Sequence, residues 1–352
     1  MAGLKKVVLR GGMEALYFTG AYHLLRPLTA GVGAILTLHH VRPPRGDAFQ
    51  PNRLLEVSPA FLDDVLRSLR RAQVDLVSLD EMHRRLTERD FRRRFVCFTF
   101  DDGYRDNLQY ALPILKRYDA PFALYVPTSF PDGFRELWWL TLEHAIARSH
   151  RVSLVMDGAD RRYDCDSTEA KYELYEHLYW WLRGLDNEDD LRRAVHDLGA
   201  RYGVDQAALR EELCMTWAEI DELAADPLAT IGAHTVNHVM LRKASDAAVR
   251  REMRESAAVI DAALGKRPAH FSYPLGDRTS AGRREFAIAA ELGFKTAVTT
   301  RPGVLFPEHV AHLTALPRIS LNGEYQRSRY AKVLISGAAT ALWNRFRRVD
   351  AA

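Results

Sequence analysis

Along this chain, short apolar runs alternate with stretches whose apolar residues return every three or four positions. The runs AILTL (34–38), DLVSL (75–79), RFVCFTF (94–100) and PFALYVPT (121–128) read as buried strands, as do ATIGAH (229–234), HFSYPLG (270–276), KTAVTT (295–300) and ALPRISL (315–321). Helical patterns lie between them. SPAFLDDVLRSLRRAQ offers Ser58 as a cap, Pro59 at the first helical position, and Phe61, Leu62, Val65, Leu66 and Leu69 on one face. SLDEMHRRLTERD, NLQYALPILKRYD, DAAVRREMRESAAVIDAAL and AGRREFAIAAELG are helical too. This alternation predicts βα units, a mainly parallel sheet and an α/β fold, in which reactive side chains gather at the C-terminal ends of strands.

The alternation stops between Leu137 and about Leu223. WWLTLEHAIA, KYELYEHLYWWLRGL, EDDLRRAVHDLGARY and TWAEIDELAAD all have helical patterns, with one hairpin-like stretch, RVSLVMDGADRRYD, among them. We read this block as a helical insertion at about 137–223. Residues 1–30 then form an N-terminal helical segment, 31–325 the α/β domain that carries the insertion, and 326–352 one amphipathic C-terminal helix.

Charge and composition remove several function classes. Lys plus Arg number 49 against 46 for Asp plus Glu, and a net charge of +3 gives no case for nucleic acid as a partner. Cys97, Cys165 and Cys214 form no CxxC pair, so neither a disulfide framework nor a thiolate zinc site is expected, and a reducing compartment fits. Arg10 and Glu14 interrupt what would be the apolar core of a signal peptide, and PLTAGVGAILTLHHV (27–41) is too short to span a bilayer. The expected location is cytoplasmic, with peripheral contact at the inner membrane surface through the termini as a further reading. Those termini mix Lys5, Lys6, Arg10, Arg345, Arg347 and Arg348 with apolar residues. The plainer reading of the C-terminal segment is a helix packed on the domain.

Two stretches carry candidate chemistry. FVCFTFDDG ends a buried strand on Asp101, Asp102 and Gly103, which alone is ordinary turn chemistry. GAHTVNH also follows a short apolar strand, and His234 and His238 share a face if that segment is helical. Two imidazoles with one carboxylate suit Zn²⁺ or a similar divalent ion and leave positions open for water and substrate. Two unrelated histidines remain the alternative.

Taken together, TFDDGY (99–104), HTVNH (234–238) and FSYPLG (271–276), in that order, resemble the polysaccharide deacetylase family, also called the NodB homology domain or carbohydrate esterase family 4. The resemblance covers roughly residues 31–325 and implies a distorted (β/α) barrel of about seven parallel strands. It also implies a metal-dependent hydrolase that removes the N-acetyl group from amino sugars in oligo- or polysaccharide. Carried over by position, Asp102, His234 and His238 match the metal ligands and Asp101 the general base, while Tyr104 stands where a backbone NH helps stabilise the oxyanion. The cofactor implied is a divalent metal, Zn²⁺ first, with Co²⁺ or Ni²⁺ as alternatives, and the partner implied is a carbohydrate.

The third motif lacks the arginine that many members use to orient the catalytic aspartate, and resembles instead the FxYPxG subgroup that includes poly-N-acetylglucosamine-type deacetylases. Arg318, on a late strand, is the candidate to supply that charge, with an ordinary salt bridge as its alternative. His312 is the candidate acid nearest the family's last motif, and His39 or His40 at the first strand end competes with it. Tyr273 is read as a pocket-shaping residue. Trp138 and Trp139 either stack on sugar or belong to the core. Two other readings compete with the leading one: hydrolysis of a non-sugar amide or imide, and carbohydrate binding without catalysis.

Overall fold

The computed structural model describes residues 2–352, with side chains from Val7 onward, so the side chains of Lys5 and Lys6 lie outside the described residues. Seven strands form the barrel: β1 (Gly33–Leu38), β2 (Phe95–Phe100), β3 (Phe122–Val126), β4 (Ala229–Ala233), β5 (His270–Ser272), β6 (Thr296–Pro302) and β7 (Leu316–Ser320). Each pairs in parallel with the next, and β7 returns to β1, which closes the ring. An eighth parallel piece, Asp75–Leu76, sits outside the ring on the first two residues of β2. The expected strand over 75–79 is cut short because Ser78 caps the next helix by accepting from the Glu81 amide.

Helices α1 (Ala2–Phe18) and α2 (Ala21–Thr29) precede the barrel, and α3 (Pro59–Arg71), α4 (Leu79–Glu88) and α5 (Leu112–Arg117) surround its first strands. The period of two along each strand sorts the core. Leu36, Phe98, Phe100 and Leu124 face the helices, whereas Ile35, Phe95, Cys97, Tyr125, Val298 and Leu316 fill the barrel over α4 residues Leu79, Met82 and Leu86. On β2 the same inward parity continues to Thr99 and Asp101.

The insertion contains α6 (Trp138–Ala147), an antiparallel hairpin of Arg151–Met156 with Ala159–Asp164, α7 (Thr168–Gly184), α8 (Glu188–Arg201) and α9 (Gln206–Leu213). It has its own apolar core, to which Trp138, Trp139, Leu142, Leu178 and Val195 belong. The next helix, α10 (Trp217–Ala224), corrects the expected boundary: Met215, Ile220 and Leu223 are buried in the barrel's helix layer, so the insertion ends near Cys214.

After α11 (Asp246–Leu264) and α12 (Arg283–Glu291), the chain ends in α13 (Ser328–Ile335) and α14 (Ala338–Trp343) instead of one helix. The break falls at Gly337. Its φ of 76° is left-handed, and a Cβ there would lie 1.9 Å from the Thr29 carbonyl oxygen. No helix among the described residues is long and apolar enough to cross a membrane.

Candidate active site

Asp101 continues β2 by one residue, its amide donating to the Leu38 carbonyl (3.0 Å). The chain then leaves extended geometry: Asp102 has φ 74° and Gly103 φ 68°. The two aspartates are therefore not neighbours on one extended strand: Asp101 ends it and Asp102 opens the left-handed turn. Both carboxylates are buried.

Arg318 reaches Asp101 from β7. Its Nη1 donates to Asp101 Oδ1 (2.8 Å) and its Nη2 to Oδ2 (2.6 Å), a bidentate fork. Further donations go to the Thr99 hydroxyl, the Ser272 hydroxyl and the Thr299 carbonyl, so four strands converge on this guanidinium. Burial pushes the Asp101 carboxyl up, but the charge and hydrogen bonds of Arg318, with smaller help from His234 and His39, outweigh it and hold Asp101 below the usual carboxylate range.

His234 follows β4, and its Nδ1 lies 2.6 Å from the Ser272 carbonyl. A carbonyl only accepts, so that nitrogen carries the proton and the Nε2 lone pair is left to face inward. The Nε2 atoms of His234 and His238 lie 3.5 and 3.2 Å from the same Oδ1 of Asp102. The HTVNH stretch is not helical: Thr235 and His238 are both left-handed, at φ 63° and 52°. Glu252 on α11 holds this loop by accepting from the Val236 and Asn237 amides and the Asn237 side chain. Behind His238 stand Trp139 and Phe130, with ring centroids at 5.1 and 5.9 Å. Trp138 and Trp139 are thus core residues of the insertion, and Trp139 also backs the site.

Asp102, His234 and His238 place one ligand atom each within 4.8 Å of one another, all three buried. Asp102 Oδ1 has no hydrogen-bond partner despite this burial. Burial alone would raise the Asp102 carboxyl, yet His238 and His234 hold it well below its ordinary value. An anionic oxygen and two nitrogens converging with one orphaned acceptor fit a small divalent cation.

The first strand end separates two histidines that the sequence left equivalent. His39 feels the charges of Asp102 and Asp101, and its burial outweighs them and lowers its pKa. His40 turns away: its Nδ1 lies 2.6 Å from Asp106 and its ring stacks on Tyr104 at 3.5 Å. Burial, reinforced by the Asp102 charge, pushes the Tyr104 phenol well up. The Met215 amide donates to the Gly103 carbonyl (3.0 Å), tying this turn to the end of the insertion.

Two candidates lie elsewhere. His312 ends the 3-10 turn Pro307–His312 that leads into β7, so it is exposed on the N-terminal rim, opposite the strand ends that carry the aspartates. Tyr273 is fully buried among Phe271 and Phe286, with its hydroxyl donating to the Thr314 carbonyl (2.8 Å), so it contributes packing. Sequence reasoning missed Glu252, Asp106 and Ser272. Ser272 was readable, since it precedes Tyr273 in a motif that points into the barrel on alternate residues. Glu252 gave no signal among the many acidic residues of an amphipathic helix.

The family model described as polysaccharide deacetylase matches residues 88–152 and 184–297, just over half of the chain. The chain belongs to the polysaccharide deacetylase family. The unmatched stretch between the two segments spans most of the hairpin and α7, whereas the insertion helices α6, α8 and α9 fall within the matched residues of this deacetylase-family chain. Among solved structures, it is similar to the Streptococcus pyogenes deacetylase PplD, at 21% identity and a TM-score of 0.55, over 82% of this chain and 92% of that one. It is also similar to IcaB from Ammonifex degensii, at 18% identity and a TM-score of 0.54, over 86% and 97%. At these identities the likeness is one of fold. No curated protein matches the chain.

Proposed function

We propose that this chain hydrolyses the N-acetyl group of N-acetylated amino sugars in oligo- or polysaccharide. The observation that carries this reading is Asp101, clamped by Arg318 and set beside the convergent Asp102, His234 and His238. A bound divalent cation, Zn²⁺ first with Co²⁺ or Ni²⁺ as alternatives, would be held by those three ligands and would supply Lewis acidity to the acetyl carbonyl and the attacking water.

The protein's own groups divide the remaining work. Asp101, kept ionised by Arg318, accepts the proton of the attacking water. The backbone NH of Tyr104 donates to the oxyanion that develops on the acetyl carbon's oxygen. The proton that Asp101 takes from the water passes to the leaving amine, with His39, near both aspartates, as the imidazole that relays it, while the Asp106 contact keeps His40 in a supporting place. Acetate and a free amino sugar result. A binding module without catalysis has no need of a base clamped in this way. Carbohydrate is the partner this reading requires, with peripheral membrane contact through the termini beside it. Acetate release from N-acetylglucosamine oligomers, measured with one Zn²⁺ or Co²⁺ per chain, tests it; metal-loaded protein that releases none would move the search to non-sugar amides.

A further inference from the structure

The two ends of the chain meet in one helical layer outside the barrel. α1 and α2 pack on α13 and α14 through Met13, Tyr22, Tyr330, Val333 and Ala338. This layer leaves unusually many apolar side chains in water: nine of the fifteen large hydrophobic residues exposed among those described fall within residues 1–30 and 326–352. Leu24 on α2 is 81% exposed and Trp343 on α14 60%.

Val8, Leu9, Leu28, Leu342, Trp343 and Phe346 among them border hollows in this layer. A groove of about 690 Å³ runs between α1 and α14, walled by Val8, Leu16, Leu334, Leu342 and Trp343. On the other flank of α14, Leu28 and Phe346 line a hollow of about 210 Å³ together with Arg347 and Arg348. A third hollow, of about 520 Å³, opens beside α2 and is lined by His23, Arg26, Arg71, Arg94 and Lys332, with Asp64 the one acidic residue on its described wall. Asp64 is already paired with Arg67, whereas Arg26, Arg71 and Lys332 have no ion pair among the described residues.

Charge follows the same division. Residues 1–30 sum to +3 and residues 326–352 to +5, against +3 for the whole chain, so the remaining 295 residues sum to −5. Arg348 is paired with Glu308, but an apolar face bordered by Arg26, Arg71, Arg345, Arg347 and Lys332, none in an ion pair among the described residues, repels a second copy of itself and matches a surface that offers both hydrocarbon and negative charge. We propose that the terminal layer is a docking surface for an anionic lipid bilayer, with the apolar side chains of α1, α2 and α14 entering the interface and the arginines around them meeting lipid phosphates.

Co-sedimentation of the full chain with phospholipid vesicles tests this without reference to the reaction. The chain should pellet with vesicles of equal parts phosphatidylcholine and phosphatidylglycerol, should stay in solution with phosphatidylcholine alone, and should be released by salt. L24D/W343D should abolish pelleting, and R345A/R347A should weaken it by about 30-fold. All four side chains are exposed, so both variants should melt at the wild-type temperature. Failure to pellet with the anionic vesicles, or undiminished pelleting by both variants, would overturn the proposal. So would a wild-type dimer that L24D/W343D converts to monomer.

Discussion

At the scale of single residues, the decisive pair is Asp101 and Arg318. Both are buried, and Arg318 makes every contact inside the barrel, so its removal leaves an uncompensated carboxylate in a medium that penalises charge. Arg318→Ala should cost about 3–5 kcal/mol in chemical denaturation. It should also raise the Asp101 pKa, because the group that overcame burial is gone. The acidic limb of the pH–rate profile should then move to higher pH, since the base works only when ionised. Arg318→Lys restores the charge without the fork and should fall between the two. An unchanged acidic limb in Arg318→Ala would separate Asp101 from the base role.

At the scale of elements, strain collects at the catalytic face. Asp102, Thr235, His238 and Leu275 are all non-glycine residues at positive φ, and all follow barrel strands at their C-terminal ends. Such backbone persists where neighbours over-determine it, and Glu252 does this for the loop between the two histidines. Glu252→Ala should lower metal affinity about 10- to 100-fold in chelator competition, with a smaller effect on the fold. The four-residue spacing of His234 and His238 was legible in the sequence, but its cause was not. Helical periodicity suggests one face of a helix, whereas the geometry depends on a carboxylate from a helix a dozen residues later. His39 and His40 were likewise indistinguishable until Asp106, more than sixty residues on, took one of them. Arg318 was readable because its strand parity matches an inward position. His312, in contrast, was nominated by nearness to a motif, and the turn it closes lies at the wrong end of its strand.

Over the whole molecule, the alternation of apolar runs and helical patterns was enough to foresee a mainly parallel α/β sheet, since parallel strands buried on both faces read as continuous apolar runs, while its closure into a barrel was implied only by the three motifs' resemblance to the deacetylase family. The boundary at α10 and the break at Gly337 were not legible, because each depends on contacts made across the chain. One global consequence concerns acid stability. His309 is fully buried beside Phe306, and burial pushes its pKa down to about 4. The unfolded chain takes up a proton near pH 6.5 that the folded chain refuses until about pH 4, so stability is complete above that window and falls as pH drops through it. The loss should total about 3 kcal/mol, and His309→Gln should flatten this part of the melting-temperature profile against pH. A variant whose profile retains the full slope would assign the loss to other groups.

In the proposed reaction Asp101 acts as a base next to a ligand set that does not need it. Asp101→Asn should therefore bind one metal per chain, as the wild type does, while acetate release from N-acetylglucosamine oligomers falls by at least about 100-fold. Loss of metal together with activity would make Asp101 a ligand, and retention of near wild-type release would contradict its assignment as the base.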